Sequence, residues 1–120
     1  MKLITRLIDG VTVVHINGRI ELGEGSAAVR DLTRELLAKD RNKILFDLAD
    51  VDYIDSSGLG SLVNALTSVR KEGGDLKLVN LTSRVNDLLQ MTRLYTVFDV
   101  SDDETLAIKS FGQSPAGSGS

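Results

Sequence analysis

The sequence predicts an α/β domain on a mixed, mostly parallel sheet, and three observations carry that prediction. Two β-branched-rich runs flank Asp9-Gly10 near the N-terminus, as the strands of a tight hairpin do. Beyond them, short apolar runs alternate with stretches whose apolar residues recur at helical spacing, the pattern of parallel strands joined by helical crossovers. A length of 120 residues accommodates one hydrophobic core, hence one domain over residues 1–111, followed by a Gly/Ser-rich tail at 112–120.

Leu3 to Ile8 and Val11 to Ile16 form the hairpin, and Gly18 closes its second strand. From Ser26 the spacing changes: Val29, Leu32, Leu36 and Leu37 share a helical face while Arg30, Asp31, Arg34 and Glu35 point away, until Arg41-Asn42. Lys43 to Leu48 is too short for a buried helix and reads as a strand with Ile44, Phe46 and Leu48 on one face. Leu59, Leu62, Val63, Leu66 and Val69 make the stripe of a second helix, stopped by Gly73-Gly74. Leu76 to Val79 is the next strand, Asn80 to Ser83 a turn and cap, and Val85, Leu88 and Leu89 mark a third helix. Tyr95 to Phe98 reads as a final edge strand. Ser101, ahead of Asp102, Asp103 and Glu104, reads as the cap of a last helix running to about Phe111. Gly112 to Ser120 lacks anchoring side chains, so nothing offsets its entropy of ordering and a mobile tail is expected.

Composition removes several functional classes. Lys and Arg number 14 against 17 Asp and Glu, a formal charge of -3 with no basic block, which argues against direct binding of nucleic acid or an anionic membrane. The chain has no Cys, so disulfides, thiol catalysis and cysteine-metal sites are excluded. No apolar run approaches the roughly 20 residues that span a bilayer, and Asp9-Gly10 interrupts any signal-peptide core, so a cytoplasmic protein is expected.

The chemistry concentrates at Asp55-Ser56-Ser57-Gly58-Leu59-Gly60, a strand-to-helix junction at the carboxyl end of a strand, where such folds gather their sites. Gly58 and Gly60 permit close approach of another backbone and expose the N–H groups of the first turn. A phosphate on Ser56 would draw on those donors and add about 1.5 to 2 negative charges beside Asp55 and near Asp52, the supporting acid. The same residues also read as a helix cap and nothing more, with Ser57 the purer cap and Ser56 the more modifiable hydroxyl. Other chemistries find less support. His15, the single histidine, falls in a hairpin strand where a half-buried structural role is expected, and Ile54 stands where a nucleophile elbow needs glycine. Gly58-Leu59-Gly60-Ser61 has no third spaced glycine and no lysine for a phosphate-binding loop. Asp47, Asp50, Asp52 and Asp55 lack the order of a calcium loop and read as solvent-facing acids.

On these residues the chain resembles the STAS domain family, and within it the small bacterial anti-sigma factor antagonists that an anti-sigma factor kinase phosphorylates. The resemblance runs from Leu3 to Phe111 through the hairpin, Gly18-Arg19-Ile20, Ile44 to Leu48, the full Asp55-to-Gly60 signature and Leu76-Lys77-Leu78-Val79-Asn80. It implies a STAS-like sheet with helices mainly on one face, a non-enzymatic switch and no cofactor. Ser56 is then the phosphoacceptor and Asp55 serves recognition. Ser57, Gly58, Leu59, Gly60, Ser61 and Val63 shape the docking face, with Leu62 and Leu66 committed to the core. The implied partners are an anti-sigma factor serine kinase, bound until it phosphorylates the chain with ATP and magnesium, and a phosphatase that resets it; control of transcription is indirect. Two positions depart from the family pattern: Arg93 precedes Leu94 where relatives usually have Gly, and Glu21 precedes Leu22 where many have an acid after the Leu. The resemblance also admits an unmodified STAS scaffold or a lipid-transport subunit whose signature serines only cap a helix.

Overall fold

The structure, a computed structural model, describes residues 1–112. Asp9 and Gly10 both take positive φ, 51° and 81°, and so join β1 (Lys2–Ile8) to β2 (Val11–Ile20) through the two-residue turn expected of them. The order continues α1 (Glu24–Ala38), β3 (Lys43–Ile54), α2 (Ser56–Lys71), β4 (Asp75–Val79), α3 (Ser83–Thr92), β5 (Asp99–Ser101) and α4 (Glu104–Gly112). The strands lie in one sheet in sequence order; β1 runs antiparallel to β2, and β2 through β5 are mutually parallel.

Strand alternation gives the sheet two apolar faces. Val14 and Ile16 of β2, Ile44, Phe46 and Leu48 of β3, and Leu76 and Leu78 of β4 pack with Val29 and Leu36 of α1, Leu62, Leu66 and Val69 of α2, and Val85 and Leu89 of α3. The opposite face is smaller: Val11, Val13, Leu45 and Val79 meet Ala107 and Ile108 of α4. Three helices on one side and one on the other agree with the expected mixed α/β layering.

Several boundaries differ from expectation. Gly18, at φ 121°, does not end β2; it sits at a register irregularity, after which Arg19 and Ile20 resume pairing with Tyr53 and Ile54. β3 likewise extends to Ile54 instead of stopping at Leu48, because β2 remains its partner beyond the end of β4. Helix α1 begins at Glu24, and Ser26 is already buried within it. Tyr95 to Phe98 is not a strand. Arg93 turns left-handed (φ 61°), Leu94–Thr96 wind into a 3-10 turn, Phe98 enters the core, and the edge strand is Asp99–Ser101, paired with Lys77, Leu78 and Val79. Ser101 does not cap α4 either: Asp103 Oδ1 accepts the Leu106 N–H at 3.0 Å, while Ser101 Oγ takes the N–H of Asp103. Gly112 ends α4, and the remainder of the expected tail lies outside the described residues.

Candidate functional site

β4 pairs with β3 only as far as Asp47, so the last residues of β2 and β3 project past it and carry the entrance of α2 on their carboxyl ends. Asp55 caps that helix. Its backbone is extended (φ -108°, ψ -178°), and its Oδ1 accepts the Gly58 N–H at 2.7 Å. Oδ2 accepts the Leu22 N–H at 3.0 Å, so one carboxylate ties the first turn of α2 to the loop between β2 and α1. The Asp55 N–H in turn donates to the Ile20 carbonyl at 3.3 Å. The N–H of Gly58, followed by that of Leu22, holds the Asp55 carboxyl below its ordinary 3.8.

This arrangement corrects the assignment of the cap, which belongs to Asp55 and not to Ser57. Ser57 is half-buried, with Oγ 3.3 Å from Ser26 Oγ, and Ser26 donates onward to the Glu21 carbonyl at 3.1 Å. Ser56 is the first residue of α2 and is exposed. The two signature glycines differ in kind. A Cβ on Gly58 would overlap the Ile20 carbonyl oxygen, so glycine is required for α2 to seat on β2; a Cβ on Gly60 would meet no atom within 4 Å. Ser61, expected on the docking face, is turned inward, its Oγ donating to the Gly58 carbonyl at 2.6 Å, and Leu59 is buried as well. Val63 is half-buried against the core, which Leu62 and Leu66 enter fully. Of the expected face, Ser56 is exposed, Asp55, Ser57, Gly60 and Val63 are partly open, and Gly58, Leu59 and Ser61 are buried.

Residue spacing gave Tyr53 and Arg84 no role at this entrance, and Arg19 and Leu22 entered only through the family resemblance. Leu22 is 78% exposed on the loop that Asp55 holds. Tyr53 lies under two guanidinium groups, Arg19 at 4.3 Å and Arg84 at 5.4 Å from its ring centre. Arg19 is paired with Glu21 at 2.7 Å, and the exposed Asp52 adds to its surrounding negative charge. The pairing of Arg19 with Tyr53 depends on register across β2 and β3, for which the sequence has no local signal.

His15 lies elsewhere. Its ring nitrogens contact Asp47 Oδ2 at 3.2 Å and Asp50 Oδ2 at 2.8 Å, and these carboxylates, Asp47 foremost, raise its pKa above 6.5 against the opposing effect of burial. From His15 to Ile20 is five residue steps along β2, roughly 17 Å at about 3.3 Å per step, so it cannot serve Ser56 as a base. Asp47 is not the solvent-facing acid expected: it is buried and also accepts the Ala49 N–H at 3.1 Å.

The architecture defines a class of small α/β domain in which a carboxylate-capped helix entrance presents one free serine at the end of a parallel sheet. The STAS domain model matches residues 2–107, and the chain belongs to that family. It is 32% identical over 104 residues, 87% of its length, to a Thermotoga neapolitana protein provisionally assigned as an anti-sigma factor antagonist, of which it spans 92%. It is 42% identical over 65 residues to the anti-sigma-B factor antagonist of Bacillus subtilis, covering 54% of this chain and 60% of that one. Among solved structures, a Thermotoga maritima protein with the same provisional assignment superposes with a TM-score of 0.85 at 28% identity, over 92% of this chain and 95% of that one. The Bacillus cell fate determinant SpoIIAA in its phosphorylated form shares the fold at TM-score 0.71 and 15% identity, over 91% and 98% of the two chains.

Proposed function

We propose that this chain is a cytoplasmic anti-sigma factor antagonist switched by phosphorylation of Ser56. The observation that carries this reading is the exposed Ser56 at the first position of α2, beside a cap already supplied by Asp55. Because Asp55 takes the Gly58 N–H, helix capping does not need the Ser56 hydroxyl, which is free for chemistry.

In the unmodified state, Ser56, Gly60 and the open edge of Val63 receive the anti-sigma factor kinase, which thereby releases its sigma factor. The kinase transfers the γ-phosphoryl group of ATP to Ser56 Oγ, with the hydroxyl proton passing to a base of the kinase and ADP leaving. The new charge sits at the positive end of the α2 dipole, so the domain tolerates it without refolding. A partner carboxylate about 5 Å away would meet a repulsion near 3 kcal/mol per unit charge at an effective dielectric of about 20. Half of that, allowing for solvent, still lowers affinity roughly tenfold. A phosphatase then restores the binding form. The names of the relatives support the antagonist role, and the phosphorylated fold-mate supports a switch of this kind.

The test is incubation with a candidate anti-sigma factor kinase of the histidine-kinase-like ATPase type, with ATP and magnesium. The expected result is a mass gain of one phosphate, localised to Ser56 and absent in Ser56→Ala, together with weaker binding. Unchanged mass and affinity would refute the switch and leave an unmodified scaffold or transport subunit.

A further inference from the structure

The groove between the end of β3 and α3 is lined by Ile54, Arg84, Asp87, Leu88 and Met91 and has a volume of about 470 Å³. Ile54 is two residues from Ser56, so the groove continues the proposed docking face. Arg84, Leu88 and Met91 follow one another at helical spacing along α3, with Leu88 half-buried and Met91 81% exposed. A thioether and a leucine flank open to water favour an apolar occupant.

Arg84 defines the charge of that occupant. It is the second residue of α3, where the helix dipole disfavours a cation, so its presence does not serve the helix. Arg19, over the same Tyr53 ring, is neutralised by Glu21, whereas Arg84 forms no ion pair among the described residues. Stacking on Tyr53 restricts the Arg84 guanidinium while leaving its N–H fork available, a geometry suited to a carboxylate. Asp87 repels acid further along the groove, so a single acidic contact is favoured at the Arg84 end.

We propose that this groove selects the partner kinase by receiving a segment with a carboxylate opposite Arg84 and an apolar side chain against Leu88 and Met91. The inference rests on the function proposed above and adds the contact that discriminates one kinase from another. Rim charges of this type act on association and are sensitive to salt, whereas the apolar contact acts on residence time.

The experiment measures affinity of the unphosphorylated chain for the candidate anti-sigma factor kinase at low and high salt. It compares wild type, Arg84→Glu, Arg84→Lys, Met91→Ala and the surface control Arg34→Glu, each first checked by thermal melting. Arg84→Glu is expected to weaken binding tenfold or more, with the loss shrinking in high salt. Arg84→Lys should fall between, Met91→Ala should lose several-fold at both salts, and Arg34→Glu should bind as wild type. If wild type binds while Arg84→Glu and Met91→Ala match it, or if Arg34→Glu loses as much as Arg84→Glu, this inference is overturned and the function stands. If Arg84→Glu instead lowers only the melting temperature of the Ser56-phosphorylated form, Arg84 serves the phosphate and the partner contact is refuted. Absence of any binding by wild type brings down the proposed function itself.

Discussion

Adding one methyl group at either signature glycine should change stability in opposite directions, although the two positions lie about half a helical turn apart. At Gly58 the new Cβ would overlap the Ile20 carbonyl oxygen and crowd Ile20 Cγ2 at 3.0 Å. That oxygen also accepts the Asp55 N–H at 3.3 Å, so the carbonyl cannot retreat without loosening the cap. Overpacking costs about 1 to 3 kcal/mol, and a clash with backbone belongs at the upper end of that range. For a domain of this size, a loss of about 2 to 3 kcal/mol lowers the melting temperature by roughly 10 °C. At Gly60 the methyl meets open space, and Ala in a helix is favoured over Gly by about 1 kcal/mol, which raises the melting temperature by about 4 °C. The same methyl stands on the face offered to the kinase, where overpacking of about 1 to 3 kcal/mol weakens binding roughly tenfold or more. Calorimetry of Gly58→Ala and Gly60→Ala, followed by titration of the kinase, separates the two effects. A Gly58→Ala protein as stable as wild type would refute the account of a tightly seated α2. A destabilised Gly60→Ala protein would refute the claim of free space.

Two further outcomes follow from single residues. Arg93 adopts the left-handed conformation (φ 61°) at the turn where the family pattern favours glycine, so Arg93→Gly should gain about 0.5 to 1 kcal/mol in urea unfolding once the entropy of glycine is subtracted. His15 is held more tightly when protonated, between Asp47 and Asp50, so its folded pKa lies above 6.5. Its contribution is therefore fully present below pH 6.5 and is lost as pH rises through the raised value. Unfolding measured below and above that window should show a decline in wild type that His15→Gln lacks.

Local patterns sufficed for most of the architecture. Asp9-Gly10 between two β-branched runs specifies a hairpin, and the stripes at Val29-Leu32-Leu36 and Leu59-Leu62-Leu66 specify amphipathic helices, because turn chemistry and helical period act between neighbours in the chain. The prominence of Asp55 to Gly60 was visible for the same reason: cap residues and glycines at a strand-to-helix junction have few other uses. The aromatic run Tyr95 to Phe98 misled because β propensity is weaker than context: after the left-handed turn at Arg93, Phe98 serves the core and only Asp99 to Ser101 reach β4.

What the chain's own residues determined was the list of elements and the exposed-serine junction. Tertiary structure alone decided which hydroxyl stays free, since Asp55 takes the capping bond and Ser57 turns to Ser26 from another helix. It also decided that Gly58 is obligatory and Gly60 open, and that Arg19 and Arg84 converge on Tyr53. Each of these depends on contacts between segments distant in sequence, whose register and approach are set by packing of the whole sheet and not by any local period.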